Sequence, residues 1–286
     1  MLLAVPNISE GRDRAAVDSI ARAFAPARCL DAHVDPDHGR SVLTLAAPQG
    51  ELAGALVSGA RTVVEWIDLG RHEGVHPHVG AFDVMPVVYL HEEDRGPACA
   101  EALTAAALIG DELGLPVVLY GELATRPEHA ERASLRRGGR EELERRMRSG
   151  ELVPDYGPRR PHATAGALLA TARPPLIAFN LDLASDDLEL ARSIAAELRE
   201  SGGGLPGVRA LGLPLAERGR VQVSTNVHDH RATPLRLVVE RVRERAEIAE
   251  AELVGLAPQA AFDGFPGDVP LRGFDPTRHL LENALR

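Results

Sequence analysis

Three of the eleven histidines fall within seven residues, in Arg71-His72-Glu73-Gly74-Val75-His76-Pro77-His78-Val79-Gly80, and Asp83 follows closely. An imidazole exchanges its proton near neutral pH, so a histidine on a loop held between a helix and a strand suits general acid–base work. His76 stands before Pro77, which biases its backbone toward extended geometry and lets the ring be aimed reproducibly. Asp83, if the fold brings it close, would hold one ring nitrogen and set the tautomer. The plain alternative is a set of solvent-facing loop histidines.

A second group, His33-Val34-Asp35-Pro36-Asp37-His38-Gly39-Arg40, has the residue types of a divalent-metal site without the spacing of any strong metal signature. A loop that orients a polar substrate is equally compatible, with the Arg40 guanidinium as a two-pronged partner for a carboxylate. Asn7-Ile8-Ser9-Glu10-Gly11 lies just ahead of a helical pattern, where backbone amides can hold an anion or polarise a carbonyl, or simply cap the helix. Arg159 and Arg160 sit near a module boundary, where clefts form and two guanidinium groups could answer a dicarboxylate. Gln222-Val223-Ser224-Thr225-Asn226 places polar side chains at a strand end, and Asn226 could read an amide or pterin edge.

The elements that must position these groups follow from periodicity. Leu2 to Val5 reads as a strand and residues 7 to 11 as a turn. Ala16, Val17, Ile20, Ala21 and Phe24 recur at helical spacing. Strands are expected at 28–32, 41–46, 84–90 and in PVVLYG, with helices near 51–68 and 97–113 and Trp66 as core. Residues 122–150, dense in Arg and Glu, read as exposed helix or an irregular excursion. The stretch 155–172 reads as a Pro- and Gly-rich linker ending at Arg173-Pro174-Pro175. Beyond it the pattern restarts: a strand in PLIAFNLDL, a helix capped by Ser185, Asp186 and Asp187, strands at 208–213 and 220–225, and a helix from Pro234 to about Leu253.

Both halves thus begin as a split βαββαβ unit, which predicts an α/β (α+β) protein of two such subdomains, 1–173 and 174–286. A dinucleotide-binding fold is disfavoured, because the first strand-to-helix turn carries only Gly11.

Composition narrows the function classes. The chain has 286 residues, 44 % of them hydrophobic, which is ample for a packed core and excludes a disordered tail. Thirty-two basic against 42 acidic residues give a net charge of −10, a field that repels nucleic acid as a partner. A small anionic substrate then needs local arginines and amides inside a cleft. Cys29 and Cys99 have no zinc or redox spacing. The opening residues lack the basic start and long apolar core of a signal peptide, and no apolar run reaches the roughly 18 residues of a membrane span. A cytoplasmic protein that meets no membrane is expected.

Taken together, VPNISEGRD, DPDHGRSVLTLAAP, IDLGRHEGVHPHVGAFDVMPVVYL, GLPVVLYGELA, VPDYGPRRPHATAGA, LIAFNLDL and VQVSTNVHDH occur in an order that resembles the glutamate formiminotransferase family, over about residues 3 to 230. The resemblance implies transfer of a formimino group between N-formimino-L-glutamate and tetrahydrofolate as cosubstrate, in histidine breakdown. It implies two ferredoxin-like subdomains with the folate site in a cleft or tunnel between them, and a homodimer; no residue is assigned to a metal. The helical cyclodeaminase fused to this unit in vertebrates has no counterpart expected here. The family's catalytic histidine falls on His76. An arginine of the animal form is replaced by His78, and an assisting acid falls on His33, with Asp35 close by as a stand-in. Asn7, Ser9, Glu10, Gly11, Arg40, Asp83, Arg159, Arg160 and Asn226 complete the expected substrate and folate contacts. Two other readings are a metal-dependent hydrolase built on His33, Asp35, Asp37 and His38, and a folate-binding homologue without catalysis.

Overall fold

The computed structural model describes residues 1–286, which form two compact units, Met1–Pro174 and Pro175–Arg286.

The first unit is built on one seven-stranded sheet. Its opening strand is interrupted at Val5-Pro6 into β1 (Leu2–Ala4) and β2 (Asn7–Ile8), because proline cannot donate to a ladder. The helix α1 (Arg14–Ala23) follows, its first turn capped by Asp13, whose carboxylate accepts from the Ala16 amide. Then come the hairpin strands β3 (Arg28–Asp35) and β4 (Arg40–Ala47), the helix α2 (Leu52–Trp66) and the strand β5 (Phe82–Val88). Both β1 and β2 lie between β4 and β5, all antiparallel, and β3 flanks β4. The helix α3 (Arg95–Leu113) ends at Gly114, which adopts φ +60°. It leads to β6 (Val117–Leu119), while β7 (Leu168–Arg173) inserts between β5 and β6 in parallel register.

Residues 168–173 are therefore a central strand and not linker. Their buried Ala170 and Ala172 pack under α3, where there is room only for small side chains, and small residues carry weak strand propensity. Asn7 and Ile8 likewise extend the sheet instead of turning.

The segment 122–150 is the larger correction. It folds into α4 (Arg132–Arg136) and α5 (Gly139–Ser149). Leu135, Leu143, Met147 and Leu152 are buried with Val84, Val118, Tyr120 and Leu169. These strand residues alternate with Met85, Val117, Leu119 and Leu168, which face the core formed with α1, α2 and α3. The charged segment therefore covers the second face of the sheet with a narrow apolar stripe, and its Arg and Glu side chains face outward for the most part. Trp66, expected in the core, is 56 % exposed at the end of α2.

The second unit contains β8 (Ile177–Leu183), α6 (Leu188–Leu198), β9 (Val208–Leu215), β10 (Arg220–Val227), α7 (Leu235–Arg243) and β11 (Ile248–Val254). Its four strands run β11-β8-β10-β9, all antiparallel. The expected helix from Pro234 to Leu253 stops ten residues early, and IAEAELV becomes the edge strand. Its Ala, Glu and Leu are good helix formers, and tertiary pairing with β8 overrides that preference. Two four-residue helices, α8 (Pro276–His279) and α9 (Leu281–Ala284), close the chain. No helix is long and apolar enough to cross a membrane.

Candidate active site

Backbone packing brings three loops of the first unit together. Gly11 has no room for a side chain: a Cβ there would meet the Asp35 carbonyl at 2.2 Å and the Arg40 amide at 2.5 Å. Gly39 adopts φ +65° and lies equally tight against the Glu73 carbonyl. The Val75 amide donates to the Asp37 carbonyl at 3.3 Å. The loop after β2, the β3–β4 turn and the histidine loop are thereby layered backbone on backbone.

At their junction lies a recess lined by Asn7, Ser9, Arg40, His76, His78 and Asp83, with His38 and His72 beside them. It holds about 10 Å³, the room of roughly one water. An adjoining cleft of about 230 Å³ is lined by Glu10, Gly11, Trp66, Asp68, Arg71 and Glu73 and shares Ser9, Gly39 and His72 with the recess.

Within the recess the Arg40 Nη1 group lies 2.7 Å from His76 Nε2. A guanidinium has no acceptor, so Nε2 must accept, and the neutral ring carries its proton on Nδ1. Burial, followed by the Arg40 and Arg136 charges, holds the His76 pKa well below its ordinary value. Arg40 is itself pushed down to about 10, by burial and then by Arg136 and Arg132, and stays charged at neutral pH. A neutral imidazole in a cationic recess is a base whose lone pair is capped by a guanidinium.

His78 and His72 steady the loop. His78 Nδ1 donates to the His76 carbonyl at 3.1 Å, and His72 Nδ1 donates to the Ser9 carbonyl at 3.2 Å. Their rings meet edge to face at 4.2 Å, and the His38 ring lies 5.7 Å from that of His76. Ser9 is buried, and its hydroxyl donates to the Gly80 carbonyl at 2.7 Å. The Asn7 amide turns back to the Val5 carbonyl at 3.0 Å.

Asp83 corrects an expectation. Its carboxylate does not orient the His76 ring: one oxygen accepts from the Val79 amide at 2.8 Å, and the other pairs with the buried Arg136 guanidinium. It fixes the loop's exit instead of its imidazole. Glu10 caps the following turn, accepting from the Arg12 and Asp13 amides at 2.8 and 2.9 Å.

His33 and Asp35 are on β3 and line neither the recess nor the cleft. Asp35 accepts from the His38 amide at 2.9 Å, and its second oxygen lies 3.8 Å from His38 Nδ1. That is how an aspartate closes a tight turn. Arg159 and Arg160 are exposed on the loop before β7 and border neither space. Asn226 is half-buried on β10 of the second unit, opposite Ala178 and Arg209. It shares a sheet face with buried Gln222, which donates to Asp182 at 2.7 Å; Arg218 and Arg272 also approach that carboxylate. Burial raises the Asp182 pKa against those contacts.

Sequence reasoning missed Arg136, Arg132 and the Asp182 network. For Arg136 a signal existed, since Leu135, Leu143 and Met147 mark an apolar stripe that would turn their neighbours toward the sheet.

Comparison with known proteins places these features in context. A family model described as "Formiminotransferase domain, N-terminal subdomain" matches residues 1–173, and one described as "Formiminotransferase domain" matches residues 178–263. The chain is similar to a "Glutamate formimidoyltransferase" of Thermoplasma acidophilum, 36 % identical over 98 % of this chain and 96 % of that protein. A protein of that name from Streptococcus pyogenes serotype M1 is 34 % identical over 98 % and 97 % respectively. The "Formimidoyltransferase-cyclodeaminase" of Mus musculus is 37 % identical over 90 % of this chain and 50 % of its own length.

Proposed function

The chain belongs to the formiminotransferase family, and on that premise we propose that His76 is the general base and acid of its reaction. The enzyme transfers the formimino group between N-formimino-L-glutamate and tetrahydrofolate, giving 5-formimidoyltetrahydrofolate and L-glutamate, a step in histidine degradation.

His76 Nε2 takes the proton shed by the attacking amine nitrogen of tetrahydrofolate as that nitrogen bonds to the formimino carbon. The imidazolium then returns the proton to the glutamate nitrogen as the old carbon–nitrogen bond breaks. One proton enters and one leaves, so the ring ends as it began. The observation that carries this reading is the 2.7 Å approach of Arg40 Nη1 to His76 Nε2, which makes that nitrogen the ring's acceptor and turns its lone pair into the recess. Arg40 answers a carboxylate of the glutamyl donor, and Asn7 with the Ser9 to Gly11 backbone holds its formimino end. Asp83 and His78 keep the loop in register, and His33 and Asp35 support it from β3. Asn226, on the polar face of β10 with Gln222, offers its side-chain amide to a pterin edge. Arg159 and Arg160 serve the outer, solvent-facing carboxylates.

Each unit is read as ferredoxin-like. The antiparallel order β11-β8-β10-β9 supports this in the second, and β5-β1/β2-β4-β3 with α1 and α2 supports it in the first. Division into subdomains at 173/174, a homodimer and a cytoplasmic location complete the reading, the homodimer on the family resemblance alone.

The pH dependence tests the base. Because His76 is held below about 6.5, its neutral, active form persists through pH 6.5 in the free enzyme. The kcat/KM profile should stay level there and lose activity only at lower pH. An acid limb centred at or above the ordinary histidine value would contradict the assignment.

A further inference from the structure

The hydrogen bond that defines the site also closes it. Arg40 Nη1 sits 2.7 Å from Nε2, the atom that must accept a proton, and the recess around the pair has room for only about one water. In this arrangement the base is aimed and blocked at once. A guanidinium, with five donors and no acceptor, leaves a neutral nitrogen readily for a carboxylate, because the charge-assisted, two-pronged pair is the stronger one.

We propose that Arg40 is a substrate-responsive latch on His76: a carboxylate of the glutamyl donor draws the guanidinium away, and only then are the Nε2 lone pair and the space before it open to the attacking amine. The proposal rests on the reading of His76 as the base and assigns Arg40 a second duty as its positioning residue. Its consequence is ordered chemistry. A donor lacking carboxylates leaves the base capped.

The groups facing His76 define the background of any titration. They are Arg40 from β4, His38 from the β3–β4 turn, Arg132 and Arg136 from α4, Asp83 from β5, and His78 on its own loop. A bound carboxylate raises the His76 midpoint both by its own charge and by drawing Arg40 away, and the Arg40→Gln comparison separates the two. In catalysis the same shift separates two profiles. The acid limb of kcat, which reads the loaded enzyme, lies at higher pH than that of kcat/KM, which reads the free one.

The test is a nitrogen-15 histidine spectrum of the full-length protein, with His76 assigned by its loss in His76→Gln, titrated with glutarate. Glutarate has both carboxylates and no amine, so it can reach Arg40 without reacting. On saturation the His76 midpoint should rise by about one pH unit and its Nε2 signal should lose the signature of a hydrogen bond accepted from Arg40. In Arg40→Gln the midpoint should already be raised and glutarate should move it less than in the wild type; Arg40→Lys should restore part of the response. Saturable glutarate binding with an unmoved His76 signal overturns the latch, and so does the lack of saturable binding to the wild-type protein. Both are separate from the base assignment, which fails if His76→Gln keeps its turnover. The wild-type titration stands without any variant.

Discussion

Replacing His76 with glutamine should lower kcat by about 10²- to 10⁴-fold, the usual contribution of a positioned general acid–base group. The affinity for tetrahydrofolate should stay close to that of the wild type. Glutamine keeps an acceptor near the Nε2 position, so Arg40 retains a partner and the half-buried position has no new charge to accommodate. It cannot carry the proton between the two nitrogens. Residual activity comes from holding both cosubstrates in place, which remains intact. Steady-state rates with equilibrium binding of tetrahydrofolate separate the two effects, and a variant with undiminished kcat would remove His76 from the mechanism.

The largest expected change in stability is at Asp83. Asp83→Ala strands the Arg136 guanidinium, 8 % exposed and already crowded by Arg132, with its carboxylate partner gone. Breaking a buried ion pair on one side costs about 3–5 kcal/mol. The Val79 amide loses its acceptor as well, so the end of the histidine loop should loosen and turnover should fall with stability. Replacing both partners by apolar residues, Asp83→Leu with Arg136→Met, should recover most of the loss, because no buried charge is left over. Urea denaturation of the wild type, the single variant and the double variant reads this recovery. Equal destabilisation of single and double variants would show that the pair is not what holds the loop.

Much of the fold was legible because periodicity reports burial. Ala16, Val17, Ile20 and Phe24 mark α1, and alternation in RVQVSTNV marks β10 with Gln222 and Asn226 on its polar face. What failed had physical causes. The strand β7 is rich in alanine because α3 packs close above it, so it lacks the branched side chains that usually betray a strand. The strand β11 is spelled in helix formers and owes its state to pairing with β8. In 122–150 the charges outnumber the few apolar residues that do the packing, and the average hides the stripe.

The site divided in the same way. His76 could be singled out from its own neighbours in sequence, since Pro77 and the clustered histidines are local. Its decisive partner could not, because Arg40 reaches it from 36 residues away through the layering of three loops. Asp83 lies close in sequence but faces Arg136, whose approach depends on how α4 covers the sheet. Chemistry legible in a motif tells which atom reacts; the atoms that restrain it are set by tertiary contacts.

The most direct test of the whole account is product analysis with the purified protein, N-formimino-L-glutamate and tetrahydrofolate, with N-formyl-L-glutamate offered in parallel. The account predicts 5-formimidoyltetrahydrofolate and L-glutamate in equal amounts, formed only when the folate is present and nearly lost in His76→Gln. Release of glutamate without tetrahydrofolate, or unchanged product formation by the variant, would contradict it.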